Sequence, residues 1–287
     1  MSENKDLTLE EMFALAVENQ QNSNFQVAVS LYNQILLKNP HLQGVHNNLG
    51  SIFYTNGKYL KAIDCFEKVK QINPNDADTH YNLGNAFHKL GENQRAIDCY
   101  EKAIEINPSY ENALNNLGNI FFKLIEFQKA KNCYEKIIQI NPNHISALNN
   151  LGTVFNKLEE NYKAIDCYEK AIQKNSNYTD AHCNLGVSLA ELGENESAID
   201  SYNTAIKINP NYADAYYNLA IIFDKNGKLQ KAKSCYEKAL SINPSDNKTI
   251  VGFGNLLLKL NNHKKGLMLI AEVQGVIKFT QSGLKII

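Results

Sequence analysis

The sequence predicts an all-α fold in which a pair of antiparallel helices repeats every 34 residues. Three observations predict it. The prolines are spaced by 34 residues or by twice that number, at Pro40, Pro74, Pro108, Pro142, Pro210 and Pro244. An alanine and an aromatic residue recur with the same period. Between these marks, apolar residues follow two stripes with the spacing of amphipathic helices.

The proline spacing defines a repeat with proline at position 32 and with repeat 1 starting at residue 9. The seven regular repeats then span 9–42, 43–76, 77–110, 111–144, 145–178, 179–212 and 213–246. They are flanked by an N-terminal extension over 1–8, a degenerate eighth repeat that caps the array over 247–280, and a tail over 281–287. A chain of this length would ordinarily suggest about two domains, but the repeats leave no room for a second fold.

The first helix of each repeat is predicted from an apolar stripe at positions 4, 7, 8 and 11. Position 7 is leucine in all seven regular repeats, and position 8 is glycine or alanine. Thr8 and Glu11 have the spacing of a capping box, which starts the first helix of the array at Leu9. Four repeats have a glycine at position 15 that ends this helix in the left-handed conformation: Gly57, Gly91, Gly193 and Gly227.

The second helix has its stripe at positions 20, 21, 24, 27 and 28, with alanine at position 20 and an aromatic residue at position 24 in all seven regular repeats. The small residues at positions 8 and 20 predict a close approach of the two helices, with the aromatic ring filling the space beside them. The Asn-Pro pairs end the second helix because proline disfavours the helical conformation in the residue before it.

Together, Asn-Leu-Gly in the first helix, Ala-Ile-x-x-Tyr in the second and the closing Asn-Pro resemble the tetratricopeptide repeat (TPR) family over residues 9–246. The resemblance implies a right-handed superhelix, an α-solenoid of seven regular repeats and a capping repeat. It also implies a concave groove that is lined by the first helices and faced by positions 2, 5, 6, 9, 12 and 13. We therefore expect ligand contacts at these positions.

Asparagine occupies position 6 in six consecutive repeats, at Asn48, Asn82, Asn116, Asn150, Asn184 and Asn218. An amide side chain has a carbonyl acceptor and two N–H donors, so such a row can pair with the backbone of an extended peptide. The row resembles the asparagine ladder in the repeat domain of O-linked N-acetylglucosamine transferases, which implies binding of extended protein segments. The alternative is that these asparagines orient neighbouring helices.

Other groove positions predict how the chemical character of the bound ligand varies along the array. The polar and aromatic candidates at positions 5 and 9 are Asn85, Asn115, Asn119, Asn149, Tyr81 and Tyr217. Lysines at position 13 either favour acidic segments or form a solvated face: Lys89, Lys123 and Lys157. Val187 and Ile221 make the groove more apolar in repeats 6 and 7. We expect a peptide with a polar stretch toward the N-terminal repeats and an apolar anchor near repeat 6.

The residues that catalysis or metal binding would require are tied to the repeat. Five of the six cysteines share position 23, and three histidines, His46, His80 and His182, share position 4. One cysteine per repeat neither forms a disulfide with its neighbour nor chelates zinc, so we interpret both sets as packing residues. A reactive Cys183 in the groove is a weaker alternative. No phosphate-binding or catalytic motif occurs, and we predict no enzyme, cofactor or metal.

The composition is that of a soluble globular chain, with 44% hydrophobic and 21% charged residues and a net charge of −1. The near-zero charge argues against nucleic acid as a partner. No apolar run approaches the roughly 18 residues of a membrane-spanning helix, so we expect no membrane insertion and a cytoplasmic location. The tail from Val276 to Ile287 is apolar and has the pattern of an extended segment, which predicts that it folds back over the last hydrophobic face, self-associates or docks another segment.

We interpret the chain as a non-catalytic scaffold that binds an extended peptide or a partner helix in its groove. The alternative is a substrate-recognition module that is part of, or detached from, a glycosyltransferase-like or other TPR-bearing enzyme.

Overall fold

The computed structural model describes residues 7–274, 277–280 and 283–286, which divide into two compact bodies. The N-terminal body (Met1–Ile140) contains α1 (Leu9–Gln21), α2 (Phe25–Lys38), α3 (Gln43–Thr55), α4 (Tyr59–Ile72), α5 (Ala77–Lys89), α6 (Asn93–Ile106), α7 (Glu111–Lys123) and α8 (Phe127–Ile140). The C-terminal body (Asn141–Ile287) contains α9 (Ile145–Lys157), α10 (Asn161–Lys174), α11 (Thr179–Glu191), α12 (Asn195–Ile208), α13 (Ala213–Lys225), α14 (Leu229–Ile242), α15 (Asn247–Lys259), α16 (His263–Gln274), β1 (Ile277–Thr280) and β2 (Gly283–Ile286).

The helices form pairs that follow the 34-residue repeat. Within each body, the two helices of a repeat pack on each other, and the second helix also packs on the first helix of the next repeat. The first helices begin at residues 9, 43, 77, 111, 145, 179, 213 and 247, each of which is position 1 of a repeat. At the start of α1, Thr8 and Glu11 form the predicted capping box. The predicted all-α class built from repeated helix pairs is therefore confirmed.

The turn between the paired helices has a left-handed residue at position 15 in each of the eight described repeats. Gly57, Gly91, Gly193 and Gly227 have φ values between 69° and 83°, as predicted. Residues with a Cβ atom adopt the same conformation in the other four repeats, at Ser23, Ile125, Glu159 and Asn261. Because this conformation costs roughly 1–2 kcal/mol for such residues, the packing of the helix pair imposes the turn on them.

Asparagine ends the second helices through its side chain as well as its backbone. Asn107 is extended (φ −127°, ψ 94°), and its Oδ1 accepts a hydrogen bond from the N–H of Ser109 at 3.1 Å. Asn175 makes the same contact with the N–H of Asn177 at 3.0 Å, although serine replaces proline after it. The asparagine turn therefore ends the helix even where the proline is missing.

The aromatic ring at position 24 lies at the centre of each regular repeat and explains the small residue at position 8. Tyr100 and Tyr168 are 0% exposed. A Cβ atom on Gly84 would lie 2.6 Å from Cε1 of Tyr100, so the ring fills the space that a side chain at position 8 would need. In repeat 8 the small residues at positions 8 and 20 make the expected close approach, since a Cβ on Gly266 would lie 2.8 Å from the carbonyl oxygen of Gly254.

The C-terminal end departs from the helical pattern. Strands β1 and β2 pair in antiparallel register, with Phe279 opposite Leu284, so the extended conformation predicted for the tail is confirmed at these two segments. The helices of repeat 8 end at Gln274, and β1 occupies the last residues of the predicted 247–280 segment. The tail side chains on which the predicted self-association depends, and residues 1–6 of the predicted extension, lie outside the described residues. No described helix has the length and apolarity needed to cross a membrane.

Candidate functional site

A cleft in the N-terminal body collects side chains from the first helices α3, α5 and α7. Its volume is about 570 Å³, and its lining residues are Tyr54, Tyr81, Asn85, His88, Lys89, Asn116, Asn119, Phe122 and Lys123. Six of them are predicted groove residues at positions 5, 6, 9 and 13. The structure therefore brings the predicted groove residues of repeats 3 and 4 together around one concave surface.

The other three lining residues, Tyr54, His88 and Phe122, share position 12 and were not singled out from the sequence. The ring of Tyr54 packs against Tyr59, and the ring of Phe122 packs against Phe127, with centroids 5.5 Å apart in both pairs. Three ring-bearing residues at one groove position in consecutive repeats were the signal that could have identified them.

Hydrogen bonds inside the cleft leave a defined set of polar groups for a ligand. Tyr100 Oη donates to Asn85 Oδ1 at 2.7 Å, and Asn116 Nδ2 donates to the same oxygen at 2.9 Å. Tyr134 Oη donates to Asn119 Oδ1 at 2.7 Å. The NH₂ groups of Asn85 and Asn119 and the Oδ1 of Asn116 have no partner among the described residues. Two NH₂ groups, as donors, and one carbonyl oxygen, as acceptor, are therefore available in the cleft.

Four of the six asparagines at position 6 join consecutive repeats through their side chains. The side chains of Asn82 and Asn150 have no hydrogen bond to a described residue. The other four donate through Nδ2 to the preceding repeat: Asn48 to Tyr32 Oη at 2.9 Å, Asn116 to Asn85 Oδ1 at 2.9 Å, Asn184 to Asn149 Oδ1 at 3.0 Å, and Asn218 to Cys183 Sγ at 3.7 Å. Contact between this row and a ligand stays a prediction, and the alternative role in orienting neighbouring helices accounts for four of the six.

Position 5 is more enclosed than the groove prediction implied. Asn149 is only 6% exposed, because Asn184 of the next repeat lies over its carbonyl oxygen, and it offers little surface to a ligand. Asn115 is half-buried, and its buried Oδ1 has no hydrogen-bond partner. Tyr81 packs between Tyr100 and Tyr110, with ring centroids 5.9 and 5.1 Å away.

The candidate groove residues of the C-terminal body include half-buried apolar side chains. Val187 is half-buried against a core cluster that includes Tyr202 and Leu219, and Ile221 is also half-buried. The half-buried Tyr217 has the ammonium group of Lys248 5.1 Å from its ring centroid. The position-13 lysine of repeat 5, Lys157, is exposed and has no ion pair to a described residue.

The cysteines are buried or half-buried free thiols. Cys183, expected to line the groove, is only 3% exposed, and burial raises the pKa of its thiol to about 12. Burial likewise raises the pKa values of Cys65, Cys99 and Cys133 to about 11. A covered thiol that stays protonated at neutral pH is a poor nucleophile, so the structure does not support the weaker alternative of a reactive Cys183.

The histidines at position 4 have a structural role, as expected. Nε2 of His46, His80 and His182 lies 2.8–2.9 Å from the carbonyl oxygen at position 32 of the preceding repeat, at Pro40, Pro74 and Ser176. Each ring therefore ties a first helix to the turn before it. The described residues contain no group of three or more His, Cys, Asp or Glu side chains arranged to hold a metal ion.

Family comparisons match the repeats found in the sequence. A family model described as TPR repeat matches residues 50–91, 84–124, 153–193 and 188–227. A second, described as Tetratricopeptide repeat, matches residues 111–144 and 213–246. Curated protein sequences give no match.

Several solved structures are similar to the chain. YrrB, described as a TPR protein with an unusual peptide-binding site, is 27% identical over 69% of this chain and 97% of its own, with a TM-score of 0.53. MamA is 25% identical over 60% of this chain and 93% of its own, with a TM-score of 0.55. A tetratricopeptide repeat protein from Parabacteroides merdae has a TM-score of 0.72 over 84% of this chain and 94% of its own, and its 19% identity makes it a likeness of fold.

Proposed function

This chain belongs to the tetratricopeptide repeat family, and from that premise we propose that it is a non-catalytic scaffold that binds an extended protein segment along its first helices. The observation that carries the proposal is the cleft of the N-terminal body, where amide, aromatic and lysine side chains from three consecutive first helices line one surface. The similarity to YrrB, whose description includes a peptide-binding site, supports the same function.

The available amide groups of the cleft suit a peptide backbone. The NH₂ groups of Asn85 and Asn119 would donate to peptide carbonyl oxygens, and Oδ1 of Asn116 would accept from a peptide N–H. Each such bond contributes about 1 kcal/mol net, whereas micromolar affinity requires roughly 8 kcal/mol. Side-chain contacts with the ligand must therefore supply most of the affinity, and the rings of the cleft offer the apolar area for them.

The other parts of the proposal stay predictions. We place the scaffold in the cytoplasm, with a protein partner and without nucleic acid, and we retain self-association through the C-terminal tail. The alternative of a recognition module for a glycosyltransferase-like or other enzyme differs in one outcome, because it predicts that a catalytic chain co-purifies with this one.

The experiment that tests the proposal is affinity purification with the double variant Asn85→Asp/Asn119→Asp. Aspartate keeps the oxygen that accepts from Tyr100 or Tyr134 but replaces the NH₂ donor with a group that repels peptide carbonyls. The matched control is Asn33→Asp/Asn203→Asp, which makes the same charge change at exposed positions of second helices.

We expect wild type and control to retain the same partners and the Asn85→Asp/Asn119→Asp variant to lose them, with thermal unfolding unchanged within a few degrees. Identical partner lists for all three proteins would contradict the proposal.

A further inference from the structure

The cleft of the N-terminal body carries positive charge without a compensating acid. Lys89 and Lys123 are exposed and stand at position 13 of consecutive repeats. None of the described residues that line the cleft is aspartate or glutamate, and neither lysine forms an ion pair with a described residue. Several other cations of this body are paired, as Arg95 is with Glu92 at 2.7 Å.

The C-terminal body shows which group neutralises a lysine at this position. Lys259, at position 13 of repeat 8, has its Nζ 2.7 Å from Oδ2 of Asp224, at position 12 of repeat 7. The residues of the cleft in the same two positions are Tyr54 with Lys89 and His88 with Lys123. Rings thus occupy the place that Asp224 takes beside Lys259, so a carboxylate that pairs with Lys89 or Lys123 would come from the ligand.

The rings also provide an apolar surface next to the lysines. Tyr54, Tyr81 and Phe122 are half-buried, and each is supported by a second aromatic ring within 5.1–5.5 Å. A supported ring keeps its orientation, and its open side can contact an aromatic or aliphatic side chain.

We propose that the cleft binds an extended acidic protein segment in which acidic side chains flank an aromatic or large aliphatic one. The inference rests on the proposed function and specifies its ligand. Lysines and rings together would also suit single-stranded nucleic acid. The two amide donors and the amide acceptor favour a peptide, because they match backbone C=O and N–H groups, and the net charge of −1 does not favour a polyanion.

The repeat sets the spacing of the acidic residues in the ligand. Equivalent positions on packed helices lie about 8–10 Å apart, and an extended chain advances about 3.3 Å per residue. Two acidic residues separated by one or two others therefore reach Lys89 and Lys123, and the residue between them lies over the rings.

The test uses the full chain and labelled synthetic peptides in fluorescence anisotropy at low ionic strength. The probe is Gly-Ser-Glu-Phe-Glu-Ser-Gly, and the neutral comparison peptide has glutamine in place of both glutamates. A labelled oligothymidylate tests the nucleic-acid alternative. The variant Lys89→Gln/Lys123→Gln removes the two charges. Its control, Lys174→Gln/Lys207→Gln, makes the same change at exposed lysines on second helices of the C-terminal body.

We expect wild type and control to bind the glutamate peptide about three- to tenfold more tightly than the glutamine peptide, as two exposed ion pairs allow. This preference disappears in Lys89→Gln/Lys123→Gln and shrinks in high salt. Equal affinities for the two peptides, a preference that survives in Lys89→Gln/Lys123→Gln, tighter binding of oligothymidylate, or no binding of either peptide would overturn the inference. The proposed function is judged separately, by the partners that Asn85→Asp/Asn119→Asp retains.

Discussion

The two bodies share one repeat but use its groove positions differently. In the N-terminal body, Lys89 and Lys123 are unpaired and stand beside the rings of the cleft. In the C-terminal body, the position-13 lysine of repeat 8, Lys259, is paired with Asp224 at 2.7 Å, whereas Lys157 of repeat 5 forms no ion pair with a described residue. The residues shared by every repeat specify the fold, whereas the side chain at position 12 and the lysine at position 13 of the next repeat set the charge that two neighbouring first helices present to a ligand.

The largest expected effect is a loss of stability that should be similar in the two bodies. Gly84→Val and Gly152→Val should each lower the free energy of unfolding by about 3 kcal/mol, since a Cβ atom at either glycine would lie 2.6 Å from Cε1 of a buried tyrosine ring. Gly44→Val is the control, because its Cβ would have its nearest neighbour 3.8 Å away. Chemical denaturation measures all three. A large loss at only one of the first two sites would show that the cores of the bodies differ.

A smaller effect is expected when a carboxylate is placed beside a lysine of the cleft, as Asp224 stands beside Lys259. Tyr54→Asp places a carboxylate where Asp224 stands relative to Lys259. We expect the affinity for the glutamate peptide to fall about fivefold relative to Tyr54→Asn, which removes the same ring without adding charge. Fluorescence anisotropy measures both variants. Equal affinities of Tyr54→Asp and Tyr54→Asn would mean that a carboxylate at position 12 does not compete with the peptide for Lys89.

The smallest effect concerns the turns, where each body has two left-handed residues that are not glycine. Ile125→Gly and Glu159→Gly should each raise the free energy of unfolding by about 0.5–1 kcal/mol, because glycine adopts φ values of 65° and 60° without a Cβ penalty. Gly91→Ala, at the same position, should lower it by a similar amount. Thermal unfolding gives all three values. Destabilisation by Ile125→Gly or by Glu159→Gly would contradict the strain at position 15.

Much of the fold could be predicted because the repeat displays each structural requirement several times. The period placed the first residue of every first helix, the glycines of position 15 marked four turns, and the shared position of His46, His80 and His182 indicated packing. The left-handed turns at Ile125 and Glu159 could not be predicted, because neither residue favours that conformation. Tertiary packing imposes it.

The candidate site was less predictable, since it depends on which side chains pair with each other. Position in the repeat placed Asn149 and Cys183 in the groove, but neighbouring amides cover both residues. In the cleft, the side-chain carbonyl oxygen of Asn85 accepts hydrogen bonds from both Tyr100 and Asn116. The sequence shows that these side chains are near one another, but their rotamers and partners decide which polar groups remain for a ligand.

The most direct test of the account is to map where the acidic peptide binds. A photoreactive probe, Gly-Ser-Glu-Phe-Glu-Ser-Gly with p-benzoylphenylalanine in place of phenylalanine, can be cross-linked to the full chain and the adducts located by mass spectrometry. The account predicts adducts on α3, α5 or α7, at or beside Tyr54, Tyr81 and Phe122, and competition by the unlabelled glutamate peptide. Adducts concentrated on α11 and α13, near Val187 and Ile221, would contradict it and place the ligand site in the C-terminal body.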